Sequence, residues 1–407
     1  MIKKWIYLFL ILSFFMTGCW DREELDEISI VSGIAVDPGE EKKYRLTVEA
    51  IISSEFGKQS AQGNTPVVTY TMEGNSLSEL SNKMNKGLTR KMVYSHTRVL
   101  YISEEVAREG LFGFLDFLDR SGQFRNDFNI MITKGSPASE FTKITYPTQK
   151  SPSLKVNSQA ETFTEEWGGD PNVKLYDFIS TIISKGKSPV AASLSIKGNA
   201  ESGKTVENNK SLDPEALVVM DGMVVFDDEK MIGELSLEET RNYLWTQDLM
   251  QTSLSIPCGE NSEEAKGYFL DARITMSKSS LEADYKNGYP HIKVNINGEA
   301  RIQGLHCPQD LTKLAVFTDY EERIEDYIKK EMSSLITKVQ EEYGVDIFGF
   351  GDALNRQNHK KFLEVQNQWD EEFAKAELDV YVDMHLMRSG IKNKSFNEDI
   401  EKKEKEK

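Results

Sequence analysis

Along the chain, apolar residues either alternate with polar ones or recur every third and fourth position, and the two periods follow one another in separable runs. Residues 28–36 and 44–52 are β-branched runs divided by Asp37-Pro38-Gly39, a turn sequence, and predict neighbouring strands; 67–72 predicts a third. Ser76 and Glu79 have the spacing of a capping box, and Leu77, Leu80, Met84 and Leu88 then fall at helical spacing, which predicts a helix over 77–88. A strand over 98–102, one amphipathic helix carrying Val106, Leu111, Phe114, Leu115 and Leu118, and a strand over 128–132 come next. Ser136-Pro137 suits the start of a short helix through Ile144. Residues 146–170 hold Pro147, Pro152 and Gly168-Gly169 with little periodicity, so they predict a long surface connection, after which 175–183 resumes as helix.

From Gly198 to Asp213 the chain is polar and almost free of apolar residues, which predicts a solvated linker between two halves. Beyond it, 217–226 and 231–235 flank Asp227-Asp228 as a hairpin, and Ser236 with Glu239 opens a capped helix. Strands are expected over 266–276 and 292–302. A long helix is expected from a capping box of Thr318 and Glu321 to Gly344, with Tyr320, Ile324, Ile328, Met332, Leu335 and Val339 as its buried stripe. A second helix bearing Phe362, Val365, Trp369 and Phe373 leads to a strand over 378–387. The pattern as a whole predicts a mixed α/β (α+β), multi-domain protein of mixed sheets flanked by helices, with long amphipathic helices in its C-terminal domain. The expected units are an N-terminal mixed α/β domain over 19–200, a linker over 201–213 and a C-terminal α+β domain over 214–390. The charged segment 391–407 is expected to be disordered.

Residues 1–18 change this picture. Lys3 and Lys4 precede an apolar run over 5–16 that stops at Thr17-Gly18-Cys19, short of the roughly 20 residues a membrane-spanning helix needs. They read as a processing segment, with Met16-Thr17-Gly18-Cys19 resembling a bacterial lipobox and Cys19 as the acceptor of a diacylglyceryl group. Two acyl chains give a lasting attachment where one would not. Of the 407 residues 39% are apolar, so the rest is expected to be globular and water-soluble. Its net charge of −17 argues against nucleic acid as a partner and against attachment of the body to anionic headgroups by charge alone.

Candidate chemistry is sparse. Gly198, four residues, then Gly203-Lys204-Thr205 fits the phosphate-loop form, but the residues after it are polar and lack a helical face, so the expectation is a linker and no nucleotide. The five histidines never show the i, i+4 spacing of a helical zinc pair. Acidic clusters such as Glu40-Glu41 and Glu263-Glu264 lack calcium-loop spacing, and no serine or cysteine nucleophile motif occurs. No catalytic site, cofactor or metal is therefore expected. Cys258 and Cys307, the other two of three cysteines, are a possible disulfide in an exported chain, with two separate buried thiols as the alternative.

The most distinctive residues are Cys19-Trp20-Asp21-Arg22-Glu23-Glu24-Leu25, then Val31 and Gly33-Ile34-Ala35-Val36-Asp37. With Ser95-His96-Thr97-Arg98-Val99-Leu100, Asp346-Ile347-Phe348-Gly349-Phe350-Gly351 and Trp369, they resemble the Ger(x)C family of spore germination lipoproteins, the C subunits of germinant receptors. The resemblance implies a lipoprotein on the outer face of the spore inner membrane that works with an A subunit and a polytopic B subunit in nutrient-triggered germination. It supplies no catalytic set. The alternative is a solute-binding lipoprotein feeding a transporter, which would show repeated βα units in two lobes; the C-terminal half does not. Trp20 either rests at the headgroups or packs on the first domain.

Overall fold

A computed structural model of the chain describes residues 27–52, 55, 65–248, 251–258, 268–305 and 313–387. Two mixed sheets, flanked by helices, make up more than one domain, as the alternation of periods predicts. Cys19, the Trp20 segment, Cys307 and the charged tail lie outside the described residues.

The first sheet opens with β1 (Ile28–Pro38), β2 (Tyr44–Ile51) and β3 (Val67–Gly74), an antiparallel meander. Helix α1 (Leu77–Lys83) is shorter than expected, tightening into a 3-10 turn over Met84–Lys86. Ser76 makes no side-chain cap, and Glu79, expected to complete the box, pairs with Lys83. Short β4 (Lys91–Val93) lies parallel to the start of β1, and β5 (Val99–Ser103) parallel to its middle. The single helix expected next is two, α2 (Glu104–Glu109) and α3 (Phe112–Arg120), broken at Gly110, whose φ of +119° a side chain would resist. Parallel β6 (Asn129–Thr133) is followed by the single-turn α4 (Ala138–Phe141).

The long surface connection expected over 146–170 is instead α5 (Pro152–Trp167). Ser151 caps it, Pro152 sits at its first turn, and Gly168 ends it in a left-handed conformation at φ +76°. Periodicity missed it because its buried face is Ser153, Val156 and Ala160, which are small or polar. Next come α6 (Leu175–Ile183) and β7 (Val190–Gly198).

The expected linker is also folded. It forms α7 (Ala200–Gly203) and α8 (Val206–Lys210), after which β8 (Ala216–Asp227) and β9 (Lys230–Leu235) extend the first sheet. Polar satisfaction, not apolar burial, orders the segment: buried Asn208 donates to the carbonyls of Thr145 (2.9 Å) and Ala216 (3.3 Å) and accepts from the N–H groups of Glu215 and Ala216. The sheet order is β3-β2-β1-β5-β6-β7-β8-β9, with β4 beside β1, so the sheet runs through the boundary expected near 213 and ends at Leu235.

Alternate residues of its central strands feed two cores. Ile34, Leu100 and Ile102 face a layer with Phe114, Leu118 and Phe178, whereas Ala35, Tyr101 and Met131 face Phe141, Val156 and Leu194. Central β5 and β6 are buried on both faces, as parallel strands between helical layers must be.

The second sheet follows α9 (Leu237–Trp245), whose Ser236–Glu239 capping box forms as expected. Its order is β10 (Thr252–Pro257), β11 (Phe269–Lys286), β12 (Tyr289–Leu305) and, after the helices, β13 (Glu377–Leu386). β11 and β12 outrun the expected strands because Asn287-Gly288, with φ +52° and +88°, turns them into one long hairpin. Helix α10 (Leu314–Lys338) begins four residues ahead of Thr318 and carries the expected buried stripe, ending through one π turn at Gly344. Glu321, expected in its cap, instead accepts from the N–H of Leu386 at 2.8 Å, and Glu325 from that of Met384 at 2.9 Å. The two carboxylates thus occupy donors on an edge strand. Helix α11 (Phe350–Gln357) forms where none was expected, and the last expected helix is two, α12 (His359–Val365) and α13 (Trp369–Ala374), joined by a 3-10 turn over Gln366–Gln368. Val190, Met223, Val225 and Leu235 of the first sheet share the core of this second unit.

Candidate functional site

Three buried carboxylates hold the architecture together, each at a place where backbone N–H groups have no strand or helix partner. Asp37, at the end of β1, accepts from the N–H groups of Ala138 (2.6 Å) and Ser139 (2.9 Å). It thereby supplies the cap for α4 expected from Ser136. Glu49 on β2 is fully buried. It accepts from the hydroxyls of Ser32 (2.8 Å), Ser151 (2.5 Å) and Ser153, and from the N–H of Ser153 at 3.2 Å. Burial pushes its carboxyl above the usual range, and the serine hydrogen bonds pull the other way. The first turn of α5 sits so close to β1 that a Cβ on Gly33 would meet the Ser153 hydroxyl at 1.9 Å. No side chain fits there.

The third carboxylate, Asp346, lies in the Asp346–Gly351 sequence and organises the junction of the two units. One oxygen accepts from the N–H groups of Phe348 (3.0 Å) and Gly349 (2.9 Å), the other from Gly351 N–H (2.8 Å) and the indole of Trp369 (2.9 Å). Burial raises its pKa to about 6 against those donors. Around it Phe348, Phe350 and Phe373 form a ring cluster with centroids 5.9–6.2 Å apart.

The same loop clamps the connection between α6 and β7. Ser188 donates its N–H to the Asp346 carbonyl (2.7 Å), Asp352 its N–H to the Gly186 carbonyl (3.2 Å), and Ser184 its hydroxyl to Asp352 (2.8 Å). Gln247 donates to the Phe348 carbonyl and accepts from Lys187. A Cβ on Gly351 would lie 2.6 Å from both the Gly186 backbone and the Trp369 indole nitrogen, so only glycine permits this approach. Such an arrangement fixes two sheets relative to each other. It presents no nucleophile paired with a base.

The other residues singled out in the sequence are dispersed. Arg98 N–H donates to the Ser32 carbonyl and Asn129 N–H to the Arg98 carbonyl, so Ser95-His96-Thr97-Arg98 is the turn that feeds β5 into the sheet. Lys204 of the phosphate-loop-like stretch pairs with Glu140 and Glu201, and the helix after it has five residues. His291 meets Asp379 at 3.0 Å, while His359 lies on α12 beside Asn355. No group of three or more His, Cys, Asp or Glu placed to hold a metal occurs among the described residues. Cys258 lies just past β10, and its N–H donates to the Tyr268 carbonyl at 3.0 Å. Glu49 was not visible as a functional position in the sequence, because an acid within a β-branched run resembles an ordinary solvent-facing residue, whereas Asp37 stood in the family signature without its capping role being legible.

Residues 21–196 match the family model described as spore germination protein N-terminal domain, and residues 221–390 match the one described as spore germination B3/GerAC like, C-terminal. The chain belongs to the Ger(x)C family. Its relatives include spore germination protein KC of Bacillus subtilis (strain 168), 26% identical over 386 residues and covering 93% of each chain. Spore germination protein B3 of the same organism is 23% identical over 393 residues, 93% of this chain and 96% of that one. The crystal structure of the GerBC protein matches 90% of this chain and 100% of its own with a TM-score of 0.50 at 18% identity, which establishes a shared Ger(x)C fold. The two family models leave between them the stretch that holds α7 and α8. Both the Asp346 loop and its Trp369 donor fall inside the C-terminal model.

Proposed function

We propose that this Ger(x)C protein is the C subunit of a spore nutrient germinant receptor, held by acylated Cys19 on the outer face of the inner membrane and assembled with A and B membrane subunits. The observation that carries the reading is the family match over both halves of a chain whose apolar leader ends in Gly18-Cys19. No described helix is long and apolar enough to cross a membrane, and two acyl chains on Cys19 would give a lasting attachment. The role is assembly and transmission within a receptor, and catalysis has no part in it.

Cys19→Ser removes the acyl acceptor. We expect the variant to leave the membrane fraction of spores and the nutrient response to fall at least about tenfold, as a two-chain anchor is lost. Normal fractionation together with normal germination would sink the proposal. Deleting the subunit should also lower the amounts of its A and B partners in the spore membrane; unchanged partner levels and responses would argue against a receptor role.

We further propose that Cys258 pairs with Cys307. The bridge would close a loop of roughly fifty residues and add on the order of 4 kcal/mol in the loop-entropy model. Alkylation before and after reduction should label these two thiols only after reduction, and equal labelling refutes the pairing.

A further inference from the structure

Between Glu79 and Glu104 the chain carries Lys83, Lys86, Arg90, Lys91 and Arg98 and no aspartate or glutamate, in a protein of net charge −17. The fold turns most of this charge outward. Leu80, Met84, Met92 and Tyr94 take the buried positions of the segment, leaving Lys83, Lys86, Arg90 and Lys91 exposed. The Gly122-Gln123 loop after α3 faces the segment across an open recess of about 760 Å³ shared with Asn82, Asn85 and Lys91. Three of the acids around it are engaged by bases, Glu79 with Lys83, Asp116 with Arg120 and Asp127 with Arg125, while exposed Glu27 and Asp119 make no ion pair with a described residue. Lys86 and Arg90 make no ion pair with any described residue.

Position gives this patch its meaning. Lys91 lies in register with Ile28 and donates its N–H to the Glu27 carbonyl at 3.0 Å, so the basic segment borders the first described residues of the chain. Glu27 follows Cys19 by eight residues, a stretch that reaches at most about 29 Å when fully extended. The starts of β1, β4, β5 and β6, which run parallel, all lie at this end of the sheet.

We infer that the 83–98 face docks on anionic lipid headgroups and sets the orientation of the acidic body on the membrane, an inference that rests on the Cys19 anchor proposed above. Charge alone would not hold so acidic a protein at an anionic surface. Once tethered, the body meets that surface at high effective concentration, and the orientation that brings Lys86 and Arg90 to lipid phosphates is favoured over those that bring carboxylates there.

The test reconstitutes the acylated full chain into vesicles of phosphatidylcholine alone and of phosphatidylcholine with phosphatidylglycerol, and measures acetylation rates lysine by lysine. On the anionic vesicles Lys83 and Lys86 should react about threefold or more slowly than on neutral ones, an effect that salt at about 0.5 M removes. Exposed Lys197, at the far end of β7, should react equally on both. Arg90→Glu, an exposed change that leaves the core untouched, should abolish the protection while the protein stays with the vesicles. Equal rates at Lys83 and Lys86 on the two lipids overturn the docking face even though anchoring holds. A chain that stays with neither vesicle overturns the anchoring reading, and the docking face falls with it.

Discussion

Replacing Asp346 by alanine is expected to lower stability by about 3–5 kcal/mol, the range for removing one partner of a buried charged network. Four donors converge on this carboxylate, three from backbone N–H groups and one from the Trp369 indole, and all four are buried with it. Alanine leaves them without acceptors in a site closed to water, at roughly 1–3 kcal/mol for each donor that finds no substitute. Because the loop also clamps Gly186 and Ser188, the loss should loosen the junction and not only the C-terminal unit. Denaturant unfolding should then split into two transitions, and a single transition with an unchanged midpoint would refute the role assigned to Asp346.

Asp346→Asn separates charge from hydrogen bonding through its pH dependence. The folded pKa is raised from 3.8 to about 6, so the native state holds a proton that the unfolded chain has released over that interval. The stability it contributes is full below about pH 4 and is lost as pH rises through 6, by on the order of 2–3 kcal/mol at about 1.4 kcal/mol per unit. Asparagine does not titrate, so the stability difference between wild type and variant should be largest near pH 4 and shrink toward pH 7. A difference that stays constant across that range rules this account out. Asp170, buried and likewise raised to about 6, remains in both proteins and cancels from the comparison.

The parts of the fold legible in the sequence were those built by apolar period. Strands β1, β2, β5, β6 and β13 and the buried stripe of α10 follow Val, Ile, Leu and Tyr at spacings of two or of three and four. Segments ordered by polar satisfaction were not legible. Helix α5 packs through Ser153 and Ala160, and α7 and α8 are pinned by one buried asparagine, so neither shows the stripe that periodicity detects. The end signals of α5 were nevertheless present, as Ser151-Pro152 and Gly168, and so was the Asn287-Gly288 turn between β11 and β12. The junction was half legible: Asp346–Gly351 and Trp369 stood out as a family signature, but that the acid accepts from the tryptophan across 23 positions is a fact of the fold.

Glu49→Ala is expected to cost on the order of 3 kcal/mol and to free the start of α5 from the sheet, since a buried carboxylate with several donors is being removed. Three serine hydroxyls and the Ser153 N–H converge on it from β1 and from the first turn of α5. The hydroxyls can turn to other acceptors, whereas the N–H cannot, so the cost should fall short of four orphaned donors. Glu49→Gln keeps one acceptor oxygen and the volume, and its amide can donate to a rotated serine hydroxyl; it should cost about 1–2 kcal/mol. The two variants therefore rank the contribution of hydrogen bonding apart from that of shape. Amide exchange reads the location: in Glu49→Ala the amides of the first turns of α5 should exchange faster while those of β5 and β6 keep their protection. If alanine is neutral to within about 0.5 kcal/mol, the carboxylate is not what seats this helix, and the close approach at Gly33 must be held by the packing of Val156 and Ala160 alone.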